Sequence, residues 1–506
     1  MQYLKLNPDK NILLNPSSKQ LNIIGTKDPV IGLMTNKTSL LIKLYKKNKD
    51  PKYLKSSIET ALITDTILTQ TRHEQSGEQS KLYWRNYTRS FFTDAMEACF
   101  IANDVKHAFY FMERSRAVLL NDKLNELGAS SHLSDSDAKT EQDFKINIAI
   151  QQEKLNDMAV NATTYNEQQS RLFGIKDNFE HFTKSLEKKY PAYYQYKYED
   201  GVPSLVDLQK YIAERNECFI HYFTNDTVAY ILTITLNNAK IKKLSKNDFN
   251  FQQINRFLIF CSKKDSLNKF YQSFATLSNS LYKTLFQPLQ IPKGRVVICS
   301  DNFLLPFEAL CSDKAGKNFL IDDYIFSYAY SATYLLRDNK PSKAKGNFIG
   351  FAPVSFQTDP GMGNLINSAV ALTQSSEYYG STLLFTNKAA TKNNFIQNIG
   401  NYTVANIFSH ASGNNNDNDE PRLYMQDSLI QLSDLQFLDH PATRLVVLSA
   451  CQTNVGKNVT GEGIYSLARG FASAGIPAIA ATLWNADEDM IYEISTKFHE
   501  CLSRGM

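Results

Sequence analysis

The sequence has no run of about 18 consecutive apolar residues, no C-x-x-C pair and almost no excess of either charge. The first absence excludes, by sequence, a membrane-spanning helix. The opening residues, MQYLKLNPDKN, also lack the apolar core and small-residue cleavage site of a secretory leader, so the expected compartment is the cytoplasm. A formal net charge of +4, from 55 basic and 51 acidic residues, gives no electrostatic footprint for nucleic acid or an anionic membrane. The cysteines, Cys99, Cys218, Cys261, Cys299, Cys311, Cys451 and Cys501, lie scattered with no Cys/His grouping at zinc-ligand spacing. Neither disulfides, a structural metal nor a cofactor is expected, and any special cysteine has to be singled out by position.

What is present is a chain of 506 residues, 43% hydrophobic, which is too long for one core and rich enough in apolar material to bury more than one. Residues 36–48, 51–70 and 79–103 read as antiparallel helices with short connections. Over 104–120, Val105, Ala108, Phe109, Met112, Leu119 and Leu120 share one face at a 3.6-residue period, predicting a further helix. Such pairs build α-solenoids, although no clean 34-residue self-similarity is visible. After the polar break ASSHLSDSD come two long charged stretches, 138–160 and 164–190. The second carries Leu172, Ile175, Phe179, Phe182 and Leu186 in alternating steps of three and four, the seam of a helical hairpin.

Beyond about residue 203 the pattern changes. FIHYF, VAYILTI, RVVICS, IFSYAYS, FIGFAP, TVANIFS, RLVVLS and AIAATL are short, nearly all-apolar runs separated by helix-length segments. That pattern predicts an α/β sandwich with a mostly parallel sheet covered on both faces. The division expected is a helical-repeat region over 1–130, a helical hairpin over 131–200 and the α/β domain over 201–506.

Open parallel sheets collect reactive groups beyond the carboxyl ends of their strands. His410 follows the run Thr403 to Ser409, and Cys451 follows Leu445 to Ser449, with enough chain between them for a parallel crossover. If the two runs are parallel neighbours, imidazole and thiol emerge on one rim, where a base can convert the thiol to a nucleophilic thiolate. The N–H of Cys451 and one from the Ala411–Gly413 turn would then hold the oxyanion of a tetrahedral intermediate. His440 precedes its strand and belongs at the opposite rim, while His221 and His499 read as structural. Lys457 stands where a phosphatase loop needs arginine, and Glu462 between Gly461 and Gly463 would repel a phosphate.

The motifs IFSHASGN, EPRLYMQDSLI, LVVLSACQT, GEGIYSLARGFASAGIP and ATLWNADE, preceded by SDNFLLPFEAL and TLLFTNKAATKNNF, together resemble the CHAT domain. AFYFMERSRAVLLNDKL is similar to the helices that commonly precede that domain in tetratricopeptide-repeat fusions. The resemblance implies a caspase-like α/β/α fold, a His410–Cys451 dyad and peptide-bond cleavage without metal or cofactor. It also implies a pocket for the residue before the cut near Asp301 and Asp487, hence a preference for arginine or lysine. The plainer alternative makes Asp301 a turn cap and Asp487 the cap of the last helix. Family members commonly carry glutamate where this chain has Gln452 and glycine where it has Ala411; neither change removes a catalytic group. The family usually extends further at both ends, implying a piece of a longer protein. The expected partners are a protein substrate and a regulatory protein on the helical repeats, in bacterial signalling or defence. The rival reading is an inactive CHAT-like scaffold for protein–protein interaction.

Overall fold

Apolar residues at helical spacing dominate the chain before position 216, and among its described residues the computed structural model has helices and no strand there. It describes residues 12–17, 20–21, 27–73, 78–156, 158, 163–225, 227–245, 247–248, 250–337, 342–359, 361–413, 420–438, 441–450, 457–459, 462–484 and 487–505. The helices are α1 (Asp28–Asn48), α2 (Pro51–His73), α3 (Glu78–Ala102), α4 (Val105–Arg114), α5 (Val118–Ser130), α6 (Asp135–Asn156), α7 (Tyr165–Lys189), α8 (Pro191–Lys197) and α9 (Leu205–Arg215). Strands then enter as β1 (Glu217–Thr224), β2 (Val228–Thr235) and β3 (Asn238–Ser245), followed by α10 (Phe251–Ser262), α11 (Lys264–Lys269), α12 (Tyr271–Leu285), β4 (Gly294–Ser300), β5 (Tyr324–Tyr328) and α13 (Ala332–Leu335). The remainder runs β6 (Gly346–Ala352), α14 (Ser368–Ser376), β7 (Thr382–Thr386), α15 (Lys392–Asn398), β8 (Tyr402–Phe408), β9 (Ala411–Ser412), β10 (Arg422–Tyr424) and β11 (Leu429–Gln431). It closes with β12 (Leu445–Ser449), β13 (Lys457–Val459), β14 (Gly463–Tyr465), α16 (Leu467–Ser473), β15 (Ala478–Ala481) and α17 (Glu488–Ser503).

The chain divides into two compact units that do not follow its order: 1–119 with 200–337 and 460–463, and 120–199 with 338–459 and 464–506. Among the described residues the predicted strands are shared between two five-stranded sheets, one in each unit. The first has the order β3-β2-β1-β4-β5, with β1, β4 and β5 parallel and β2 and β3 added antiparallel. The second, β15-β12-β8-β6-β7, is parallel throughout.

Alternation along each strand explains both cores. In the first sheet Phe219, Phe223 and Val297 pack with Phe91, Phe109 and Phe111, while Ile220, Tyr222 and Ile298 face the opposite way, against Phe257 and Phe274. In the second, Ile349, Ile407 and Leu448 pack with Phe395 and Phe471, and Phe348, Val404 and Phe408 with Leu372 and Tyr492. Burial on both faces is what parallel strands require. Gly350 of β6 permits a close approach of α14, because a Cβ there would lie 2.4 Å from Leu372 Cδ1.

The helix predicted over 104–120 is broken, which corrects the periodicity reading. α4 ends at Arg114, Ala117 adopts a left-handed φ of 48°, and α5 starts at Val118. An alanine there costs roughly 1–2 kcal/mol. The break lets the N–H groups of Val118 and Leu119 donate to the buried Glu462 carboxylate, at 3.0 and 3.2 Å. Charge-assisted bonds of this kind contribute about 1.5–3 kcal/mol each, enough to offset the strain. Glu462, read by sequence only as an obstacle to phosphate, caps a helix. The seam on α7 packs as expected, with Phe144 of α6 between Phe179 and Phe182 at 5.6 and 5.5 Å.

His499 of α17 is fully buried, is hydrogen-bonded through Nδ1 to Tyr379 Oη at 2.8 Å, and is pushed by burial down to about 4. Between its ordinary 6.5 and about 4, the unfolded chain takes a proton that the folded chain refuses. Stability present above 6.5 therefore declines through that window, by an amount on the order of 3 kcal/mol once pH is below it. The fall in thermal midpoint between about pH 7 and about pH 5 should shrink in the double variant His499→Leu/Tyr379→Phe. An unchanged fall would contradict this assignment.

Candidate active site

β8 and β12 are parallel neighbours, and their register pairs Phe408 with Ser449 at the carboxyl tips. Each tip is fixed from beneath by polar side chains inside the apolar sheet. Ser449 Oγ lies 3.2 Å from Asn406 Oδ1 and 3.0 Å from Ser495 Oγ, and Asn406 Nδ2 donates to Ser495 at 3.3 Å. All three residues are buried. Buried polar groups of this kind specify one arrangement, because a shifted register would leave them unpaired. The Thr482 hydroxyl donates to the Ala450 carbonyl, tying the end of β15 to the residue before Cys451.

His410 lies two residues past the end of β8. Its ring rests near Phe356, with centroids 5.0 Å apart, and Nε2 stands 2.8 Å from the Gly363 carbonyl. A carbonyl can only accept, so Nε2 carries the proton, and Nδ1 is left as the basic nitrogen of the neutral ring. Among the described residues Nδ1 has no hydrogen-bond partner. Gly363 and Phe356 were invisible in the sequence as partners of His410, since they meet it across 47 and 54 residues with no local motif.

The segment after His410, expected as a turn, is the short strand β9, whose Ala411 lies opposite Leu423 of β10. Tyr424 N–H donates to the His410 carbonyl at 3.0 Å. That bond makes Ala411–Leu423 a non-hydrogen-bonded pair of the ladder, so the Ala411 N–H points away from β10. Cys451, the second member of the predicted pair, lies outside the described residues, as do His440, Gln452 and Gly461.

The two acidic candidates differ sharply. Asp301 is 2% exposed and forms an ion pair with Arg89, whose guanidinium also stacks on Phe223 with its carbon 4.0 Å from the ring centre. Asp487 is exposed and stands at the N-cap position of α17 without a side-chain capping bond. They belong to different units. Lys457 lies in β13.

Among the described residues a histidine and a cysteine do come together elsewhere: His221 and Cys299, with Glu113, inside the first unit. No helix among the described residues is long and apolar enough to cross a membrane. A search of curated proteins finds no match. Residues 275–506, the stretch that holds the tips of β8 and β12, match the CHAT domain family model.

Proposed function

We propose that this CHAT domain, a member of a caspase-like peptidase family, is a cysteine endopeptidase acting through His410 and Cys451. The observation that carries the reading is the His410 ring, held by the Gly363 carbonyl at the tip of a strand parallel to the one that leads into Cys451. In the proposed reaction the Cys451 thiol gives its proton to His410 Nδ1, and the thiolate attacks the scissile carbonyl carbon. The developing oxyanion is met by the N–H groups of Ala411 and Cys451. His410 then protonates the departing amine, and a water, deprotonated by the same ring, releases the acid and restores the thiol.

The helical region is proposed to receive a regulatory protein partner. A preference for a basic residue before the cut is assigned chiefly to Asp487, whose carboxylate is exposed, whereas Asp301 already has its charge matched by Arg89.

Cys451→Ala and His410→Ala should each lower hydrolysis of a fluorogenic peptide by at least roughly 10³-fold. No hydrolysis above background by the wild-type chain, with cellular activity retained in Cys451→Ala, would establish the scaffold reading instead. Phe356→Ala should lower kcat by roughly 10- to 100-fold with little change in KM, because the ring it supports is positioned rather than removed. In a peptide-library profile Asp487→Asn should weaken selection for arginine and lysine, whereas wild-type cleavage after acidic residues would refute the assignment.

A further inference from the structure

We propose that Glu113, His221 and Cys299 form a buried binding site for one divalent transition metal of the zinc class, in the first unit and apart from the peptidase dyad. The topology brings the three together. β1 and β4 are parallel with His221 opposite Cys299, so their side chains leave the same sheet face side by side, and α4 delivers Glu113 above them. One ligand atom from each lies within 4.8 Å of the other two, and all three residues are buried. This is a carboxylate, imidazole and thiolate set, which suits zinc and its neighbours.

Two details point to a bound cation rather than to hydrogen bonding alone. His221 Nδ1 is buried without a hydrogen-bond partner, and Glu113 Oε1 stands 3.6 Å from it. That separation is long for a hydrogen bond but close to the roughly 3.3–3.6 Å edge of a tetrahedron built on metal–nitrogen and metal–oxygen bonds of about 2.0–2.2 Å. The carboxylate is also oriented from behind, as metal-binding carboxylates are. Ala332 N–H donates to Oε1 at 3.0 Å, and Thr333 N–H and Oγ donate to Oε2 at 2.9 and 2.8 Å, leaving one lone pair of Oε1 for the site.

Arg116 opposes a cation and has to be weighed. Its Nε donates to the Tyr330 carbonyl, which also lies 3.6 Å from Cys299 Sγ. On binding, Cys299 loses its thiol proton to solvent as the metal–sulfur bond forms. Thiolate and Glu113 carboxylate then neutralise the dication, and Arg116 remains as a single excess positive charge. The charge of Arg89 is matched by Asp301. The metal would tie α4 to β1 and β4, a structural role. Sequence spacing gave no hint of it, because the ligands stand 108 and 78 residues apart (221−113 and 299−221).

The test is made on the whole chain purified after growth with zinc. Elemental analysis should give about one equivalent of zinc, and X-ray absorption at the zinc edge should show one sulfur among nitrogen and oxygen ligands. After exchange for Co²⁺, the sulfur-to-cobalt charge-transfer band should persist in Cys451→Ser and vanish in Cys299→Ser, with affinity reduced more than tenfold in His221→Ala. Substoichiometric zinc, a first shell without sulfur or with several sulfurs, or a cobalt band that survives Cys299→Ser would each overturn the proposal. The absorption measurement needs no variant, so it decides the question even where Cys299→Ser fails to fold.

Discussion

The parallel pairing of β8 with β12 is the constraint on which the second unit depends. Parallel neighbours bring their carboxyl ends to one rim and require a long crossover between them, so the chain must leave the sheet after Phe408 and return only at Leu445. Inside that excursion lie β9, β10 and β11, and their antiparallel pairing gives the Ala411 backbone its direction. The register itself is held by polar atoms in an apolar layer. Sliding β12 by one residue would turn Ser449 to the other face and leave Asn406 and Ser495 without it.

The same device recurs in the first unit, where buried carboxylates serve backbone N–H groups. Glu462 terminates the broken segment between α4 and α5, and Glu113 holds the start of α13. Each satisfies donors that a helix start leaves unpaired, and each does so across more than 200 residues of sequence. Charges used in this way do not show as amphipathic pattern. They join segments that the apolar cores would otherwise leave free to slide.

That difference decides what could be read from the sequence. Strands such as TVANIFS and RLVVLS declared themselves because apolar runs of that length have few other uses, and the position of His410 beyond β8 followed from counting. Periodicity could not show that the predicted strands divide between two sheets, because a run buried on both faces carries no mark of its neighbour. The break inside 104–120 is hidden for a related reason. Apolar spacing there is continuous, and the interruption comes from a carboxylate at residue 462. Edge strand β3, with its lysines, and the Gly363–His410 contact were missed because the first carries few apolar residues and the second is wholly tertiary.

β3 closes one side of the first sheet with Lys240, Lys242 and Lys243, and of these Lys243 is paired with Glu97 at 2.6 Å. The ammonium groups of Lys240 and Lys242 along this margin oppose an incoming strand from another molecule, since each would lose hydration without gaining a counter-ion. The opposite margin, β5, exposes Ile325 and Tyr328 instead. Sheet extension by a second molecule is thereby disfavoured at the lysine margin.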